Sequence, residues 1–151
     1  MGTVALISGE HRYSLDDKGR LMVPARVRIE VAGNLMILTR GIDDCLWLFP
    51  PDEWKTIAEN LIATTSPFQE KARLIQRRIL APAHEIEIDR SGRIIVPQIL
   101  REYAGLSKEC TILGMLKYLE IWDEEKYLAY LEKNEDQFKK AAEELGDSIT
   151  F

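Results

Sequence analysis

The chain has 151 residues, 46% apolar and 30% charged, a globular composition that excludes a wholly disordered polymer and bounds the fold at one ordinary domain or two very small ones. No run approaches the ~20 apolar residues a membrane helix needs, and residues 1–8 (MGTVALIS) lack the basic start of an export signal and the hydroxyl residue of a myristoylation signal. The net charge of −5 hides an asymmetry: residues 119–147 hold 10 acids and 4 bases, which leaves the remainder at +1, so the sign of the whole says little about what the body binds.

In chain order, apolar positions at a spacing of two predict a strand over residues 11–15 (HRYSL). Residues 16–20 (DDKGR) follow. Asp16 can accept bonds from nearby backbone N–H groups and Gly19 can take a positive φ, so this stretch suits a hairpin with a glycine bulge. Arg20 stands one residue after that glycine. A short strand (LMV) then stops at Pro24, which suits the first position of a helix. That helix is brief and ends near Gly33, a candidate left-handed cap. Apolar runs over 35–39 and 45–49 read as two further strands.

Pro50-Pro51-Asp52 opens a helix over 52–64, and Ser66-Pro67-Phe68-Gln69 reads as a capping box for a second over 67–79 that Pro82 ends. Then the first pattern returns: a strand over 84–88 (HEIEI), the turn 89–93 (DRSGR), a strand (IIV), Pro97, a helix ending near Gly105, and runs over 110–116 and 118–122. Asp123 reads as the N-cap of a last helix, with Glu124 and Glu125 well placed against its dipole. Tyr127, Leu131, Phe138, Ala142 and Leu145 make its apolar stripe.

An offset of 73 residues aligns His11 with His84, Asp16 with Asp89, Gly19 with Gly92, Arg20 with Arg93, Pro24 with Pro97, Arg28 with Arg101, Gly41 with Gly114 and Leu46 with Leu119, without a gap. Two copies are too few for a solenoid, and a strand–turn–strand of this size buries no core alone. The copies are therefore expected to interleave as an internal pseudo-dimer. The fold class is α+β: an internally duplicated, intertwined β-rich unit with a helical insert and a C-terminal helix. Its expected parts are repeat 1 over 9–55, the insert over 56–82, repeat 2 over 83–126, and the terminal helix and tail over 127–151.

Cys45 and Cys110 do not fall at equivalent places and are read as reduced, buried small residues. With only His11 and His84 for company, no metal-ligand spacing is present. The two histidines lack a third ligand or a nucleophile, so a packed or surface role is assigned to them. No metal is expected.

"GEHRYSLDDKGRLMVPARVR", "GIDDCLWLFPPDEW", "EIDRSGRIIVPQILREYAGL" and "LEIWDEEKY" together resemble the MraZ family of bacterial transcriptional regulators. Each half looks like a SpoVT/AbrB-type swapped-hairpin DNA-binding domain, which implies that the intertwined unit is a swapped-hairpin β-barrel, an AbrB-like pseudo-dimer. The resemblance runs over about residues 9–145, with two D-x-x-G-R-x-x-x-P motifs flanking the insert. It implies a cytoplasmic, nucleoid-associated, non-catalytic regulator without a cofactor that binds short direct repeats upstream of the cell-division and cell-wall gene cluster and assembles into a ring of several subunits. Two departures stand out. The segment before Gly9 is longer than usual, and Ser91 stands where the first copy has Lys18, which makes the second turn the less basic by that comparison.

Such a function needs cationic donors on a rigid protrusion, because phosphates supply general affinity and a bidentate arginine–guanine pair is the commonest specific contact. Residues 10–28 hold five bases and three acids. The candidates for double-stranded DNA rank as Lys18 and Arg20, then Arg26 and Arg28, with Arg12 on the same hairpin and Arg93, Arg90 and Arg101 of the second copy lower. Arg20 and Arg93 have two readings, reaching a base or pairing with the aspartate four residues before them to hold the turn. Asp16, Gly19, Asp89 and Gly92 are assigned to the turns themselves. Lys71, Arg73, Arg77 and Arg78 read as a solvated basic face, with a phosphate contact or a salt bridge to the acidic C-terminal helix of a neighbour as the other readings, and Trp47, Trp54 and Trp122 as core or subunit-contact residues, with base stacking the lesser reading. No membrane and no small-molecule substrate are expected. The alternative function is an antitoxin-like protein-interaction module on the same fold; an enzyme ranks last for want of a converging acid–base or nucleophile set.

Overall fold

The computed structural model describes residues 7–31 and 33–149, so the first six residues of the long leading segment lie outside the described residues. Among the described residues eight strands form: β1 (Glu10–Ser14), β2 (Arg20–Met22), β3 (Leu35–Arg40), β4 (Leu46–Phe49), β5 (His84–Glu87), β6 (Arg93–Ile95), β7 (Glu109–Gly114) and β8 (Leu119–Asp123). Six make one antiparallel sheet in the order β1-β7-β8-β4-β3-β5, and β2 pairs with β6 in a separate two-stranded ribbon.

This order reads the same from either end once repeats are exchanged. The first strand of each repeat pairs with the third strand of the other, β1 with β7 and β5 with β3. At the centre of the sheet Trp47 faces Glu120, and at the centre of the ribbon Leu21 faces Ile94. Both are repeat-equivalent pairs at the 73-residue offset, so one pseudo-twofold axis passes through both. The expected interleaving is therefore present in the strand pairings. The expected barrel is not closed: β1 and β5 stand at opposite edges of an open sheet.

The gap-free offset also needs correction. Tyr13 pairs with Cys110 while Ile86 pairs with Met36, which matches β3 to β7 at an offset of 74. The second copy carries its extra residue in the helix after the proline: α1 (Ala25–Glu30) has 6 residues and α4 (Gln98–Ala104) has 7. The hairpin after it is one residue shorter, residues 115–118 against 41–45, and the 73-residue register returns at β4 and β8. Arg40, not Gly41, is thus the counterpart of Gly114.

The core lies between the ribbon, the two short helices and the sheet. Leu21 and Ile94 point inward from the ribbon; Leu38, Leu46, Leu48, Leu119 and Ile121 meet them from the sheet; Val27 and Leu100 come from α1 and α4. Pro24 and Pro97 sit just before these helices rather than inside them, and Gly105 ends α4 at φ 62°. Gly33 has φ +80°, but α1 stops earlier, with Val31 as its extended cap.

The insert holds α2 (Pro51–Thr64) and α3 (Glu70–Ile75), which runs on into a π-helical turn, Gln76–Leu80. The capping box is absent. The Ser66 hydroxyl accepts from the N–H of Phe68, two residues on, at 3.3 Å, and the Gln69 N–H donates to the Ser66 carbonyl at 3.0 Å. A local turn therefore competes successfully with the helix start, and the helix begins three residues later than expected. The terminal helix is two, α5 (Glu124–Lys133) and α6 (Glu135–Gly146), broken at Asn134, whose side chain donates to the Tyr130 carbonyl at 2.8 Å. Asp123 caps α5 as expected, accepting from the Lys126 N–H at 3.3 Å. Both cysteines are buried and unbridged. Burial pushes the Cys110 thiol up to about 12 and raises that of Cys45 further, helped by the charge of Glu120.

Candidate nucleic-acid interface

Each D-x-x-G-R segment closes a tight turn between a sheet strand and a ribbon strand. In the first, the Gly19 N–H donates to the Asp16 carbonyl and the Asp16 N–H to the Arg20 carbonyl, both at 3.0 Å. Asp16 Oδ1 accepts from the backbone N–H groups of Lys18 and Arg20 at 2.9 and 2.8 Å. Its Oδ2 takes the Nε–H of Arg20 at 2.6 Å and a terminal amino group of Arg93 at 3.5 Å. In the second turn, Asp89 Oδ1 accepts from the Ser91 and Arg93 N–H groups at 2.8 and 3.0 Å. The repeats are asymmetric here: Arg93 of the second turn leans on the aspartate of the first.

The two readings of Arg20 are thus compatible. Asp16 occupies its Nε, and its two terminal amino groups have no partner among the described residues. That is the fork a guanine edge takes.

Hydrogen bonds from the Arg20 backbone N–H, then from its side chain and from the Lys18 N–H, hold the Asp16 carboxyl below the usual carboxylate range. The Arg93 and Ser91 N–H groups do the same for Asp89. A folded pKa below the unfolded one stabilises the turn above the unfolded pKa and is lost as pH falls through the folded value. Acid titration followed by amide NMR should therefore move the Lys18, Arg20, Ser91 and Arg93 signals with midpoints below about 3.9, the ordinary aspartate value. Midpoints above it would contradict the bracing.

Both turns are also held from across the pseudo-axis. The Gly19 carbonyl accepts from the Val96 N–H at 2.8 Å and the Gly92 carbonyl from the Val23 N–H at 2.9 Å. Arg28 lies under Gly92 and Arg101 under Gly19. An alanine methyl at Gly92 would fall 2.1 Å from an Arg28 terminal nitrogen; one at Gly19 would fall 3.0 Å from the Arg101 guanidinium. Gly92 has φ +83° and Gly33 has φ +80°, but a methyl added at Gly33 would meet nothing within 4 Å among the described residues beyond its chain neighbours. Gly92→Ala is therefore expected to cost about 1–3 kcal/mol in urea denaturation, more than Gly33→Ala, which bears only the ~1 kcal/mol backbone term. Equal costs would show that Arg28 does not crowd the turn.

Alternation along the ribbon sends Leu21 and Ile94 inward and Arg20, Met22, Arg93 and Ile95 outward, with Arg20 opposite Ile95 and Met22 opposite Arg93. Lys18 and Arg90 stand exposed at the two tips. Residues 16–20 sum to zero charge and residues 89–93 to +1, because Arg90 takes the place of Asp17. The second turn is thus not the less basic one that Ser91 alone suggests.

The remaining candidates separate. Arg26 is exposed on α1. Arg28 and Arg101 face the turns rather than solvent, each with Nε buried and without an acceptor among the described residues; the helix places them on its inner side, which residue type and spacing do not reveal. Arg12 lies on edge strand β1, in an exposed ion pair of 3.4 Å with Glu124. Arg78 of the basic segment donates to the Gly41 and Ile42 carbonyls at 3.1 and 2.7 Å and, with Arg40, flanks the ring of Tyr103, so it is a clamp between the insert and the body. His11 stacks on Tyr13 in β1 and His84 contacts the Pro82 carbonyl in β5. Those strands are the two edges of the six-stranded sheet, and the two rings have different neighbours. Among the described residues, no group of three metal-ligating side chains occurs.

Residue-type reasoning passed over Met22 and Ile95, though counting two from each arginine finds them. It also passed over Glu120, a buried carboxylate at the pseudo-axis that accepts from the Trp47 and Trp122 indoles at 3.1 and 3.0 Å. Trp47, Trp54 and Trp122 all pack on other aromatics.

Comparison with known proteins agrees with this architecture. The family model described as "MraZ protein, putative antitoxin-like" matches twice, over residues 6–78 and 79–148. The chain is 46% identical over 141 residues to the transcriptional regulator MraZ of Treponema denticola, covering 93% of this chain and 98% of that protein. It is 44% identical over 140 residues to the transcriptional regulator MraZ of Treponema pallidum, covering 93% and 94%. Two motif-bearing repeats, exchanged strand for strand and matched over nearly their whole length, make this chain a member of the MraZ family.

Proposed function

We propose that the chain is a sequence-specific transcriptional regulator that binds double-stranded DNA with the outer face of the β2–β6 ribbon. One observation carries this reading: a two-stranded ribbon, of the width a major groove admits, turns two arginines outward while Lys18 and Arg90 flank them at its tips. Lys18 and Arg90 meet phosphates, Arg20 and Arg93 reach base edges, and Arg26 approaches the backbone from α1. Asp16, Asp89, Gly19, Gly92, Arg28 and Arg101 hold the turns.

The resemblance supplies the finer parts of the proposal. The fold is of the swapped-hairpin AbrB kind, and the chain acts in the nucleoid of the cytoplasm. It takes no cofactor and catalyses nothing. It binds direct repeats upstream of the cell-division and cell-wall genes as a ring of subunits. A ring suits the charge balance, because several weak hairpins on one face multiply effective concentration. It also suits the surface. Phe68 is 92% exposed, with Ile62 and Leu74 exposed nearby in the insert, and an apolar groove of about 660 Å³ runs between insert and sheet, lined by Trp47, Phe49, Ile57, Leu61, Ile75 and Tyr118. Contiguous apolar surface of this kind marks contacts between proteins. The antitoxin-like alternative favours an extended, partner-gripping tail; the helical tail, α5 and α6, supports the regulator.

Footprinting on the DNA upstream of this protein's own gene is expected to protect repeats about one helical turn, roughly 10 bp, apart. In band-shift titrations at several salt concentrations, with light scattering to verify assembly, Lys18→Ala should weaken binding and flatten its salt dependence. Arg20→Ala should in addition lower discrimination against mismatched sites, by about 1–3 kcal/mol. If neither variant changes binding while the assembly stays intact, the ribbon is not the DNA surface.

A further inference from the structure

The outer face of the ribbon is half apolar. Ile95 is 60% exposed in the middle of a strand pair, directly opposite Arg20, and Met22 stands opposite Arg93. The fold has no use for an isoleucine there, because the ribbon already buries its other face through Leu21 and Ile94. The pseudo-twofold axis relates Met22 to Ile95 and Arg20 to Arg93, so the face is a quartet with cations on one diagonal and apolar tips on the other. Directly opposed residues of an antiparallel pair carry their Cβ atoms about 4.5–5.5 Å apart. Stacked bases lie about 3.4 Å apart. An arginine fork and its apolar neighbour can therefore address neighbouring base pairs in one groove. The only apolar group that B-DNA offers in the major groove is the thymine C5-methyl, and apolar side chains are what recognise it.

We propose that Ile95, with Met22 in the pseudo-equivalent place, is a specificity-determining residue that reads thymine methyl groups beside the bases contacted by Arg20 and Arg93. This inference rests on the DNA-binding reading above and sharpens it. The quartet distinguishes thymine from cytosine by fit to a methyl group, where arginines alone distinguish guanine by its acceptors.

The test replaces each thymine of the footprinted operator in turn by deoxyuracil, which removes the methyl group and nothing else. Wild-type protein is expected to lose about fourfold in affinity at one or two positions, the value of burying one such group. Ile95→Ala, an exposed change that leaves the core intact, should bind thymine DNA less tightly by a similar or larger factor and show no further loss with uracil at its position. Met22→Ala should do the same at a different position, and Arg20→Ala should keep the uracil effect. If wild-type protein binds the operator but ignores every uracil, or if Ile95→Ala and Met22→Ala still lose as much as wild type at every such position, this inference is overturned and the ribbon reading stands. If wild-type protein binds no duplex from its own upstream region, both fall together.

Discussion

Asp16→Ala is expected to weaken operator binding by tenfold or more, although it removes a negative charge from a surface that meets phosphates. The reason is positional. Asp16 accepts two backbone N–H groups of its turn and bonds the side chains of Arg20 and Arg93, so one carboxylate aims both arginines of the ribbon. Charge-assisted hydrogen bonds fix geometry more tightly than neutral ones, and losing the aim of both arginines at once is expected to cost a factor of ten in specific affinity. Simple electrostatics predicts the opposite sign, since one fewer acid raises general attraction to DNA. The expected signature is therefore split: specific affinity falls, affinity for unrelated duplex at low salt holds or rises, and discrimination shrinks. Asp16→Asn, which keeps an oxygen for the backbone donors but loses the ionic contacts, should fall between. Band-shift competition with operator and unrelated DNA reads all three. A uniform tightening of Asp16→Ala on both kinds of DNA would mean that the carboxylate merely repels phosphate.

Leu21→Ala and Ile94→Ala should be the most damaging changes to stability, each by about 2–5 kcal/mol in urea unfolding, the cost of a buried large-to-small cavity. Leu21 is fully buried and Ile94 nearly so, and they face each other where the pseudo-axis crosses the ribbon. Against a typical total of about 5–15 kcal/mol either loss is severe. Because they are in contact, the double variant should depart from the sum of the singles. The strand exchange adds a further expectation: β1 and β5 each complete the other repeat's part of the sheet, so neither half has a core of its own and unfolding should be one transition. Two separable transitions, each sensitive to only one of the substitutions, would contradict the interleaved core.

What was legible in the sequence was local. The D-x-x-G-R turns are built by an aspartate, its next few N–H groups and a glycine, all within five residues, and both turns formed; the expected hairpins did not, because the joined strands pair with the other repeat, β1 with β7 and β2 with β6, rather than with each other. The cap at Asp123 and the left-handed Gly105 are of the same kind. What was illegible depends on chain that is distant in sequence. Arg28 and Arg101 look like exposed helix cations until the other repeat's glycine is found beside them. The 74-residue match of β3 to β7 is invisible in an ungapped alignment, because an extra helical residue and a shorter hairpin cancel. The capping box failed to a rival local turn at Ser66, and no pattern marks Glu120 as the acceptor of two indoles.

The claim that the ribbon enters the groove can be tested by its position alone. Cys45 and Cys110 are buried, so a single exposed cysteine can be labelled selectively with a DNA-cleaving reagent. Lys18→Cys places the reagent at a ribbon tip. Lys117→Cys places it in the β7–β8 hairpin, at the far end of β7 from the turn. With the ribbon in the groove, strand cleavage is expected inside the protected repeats from position 18, recurring about every 10 bp, and none from position 117. Cleavage from position 117 with none from position 18 would contradict that placement.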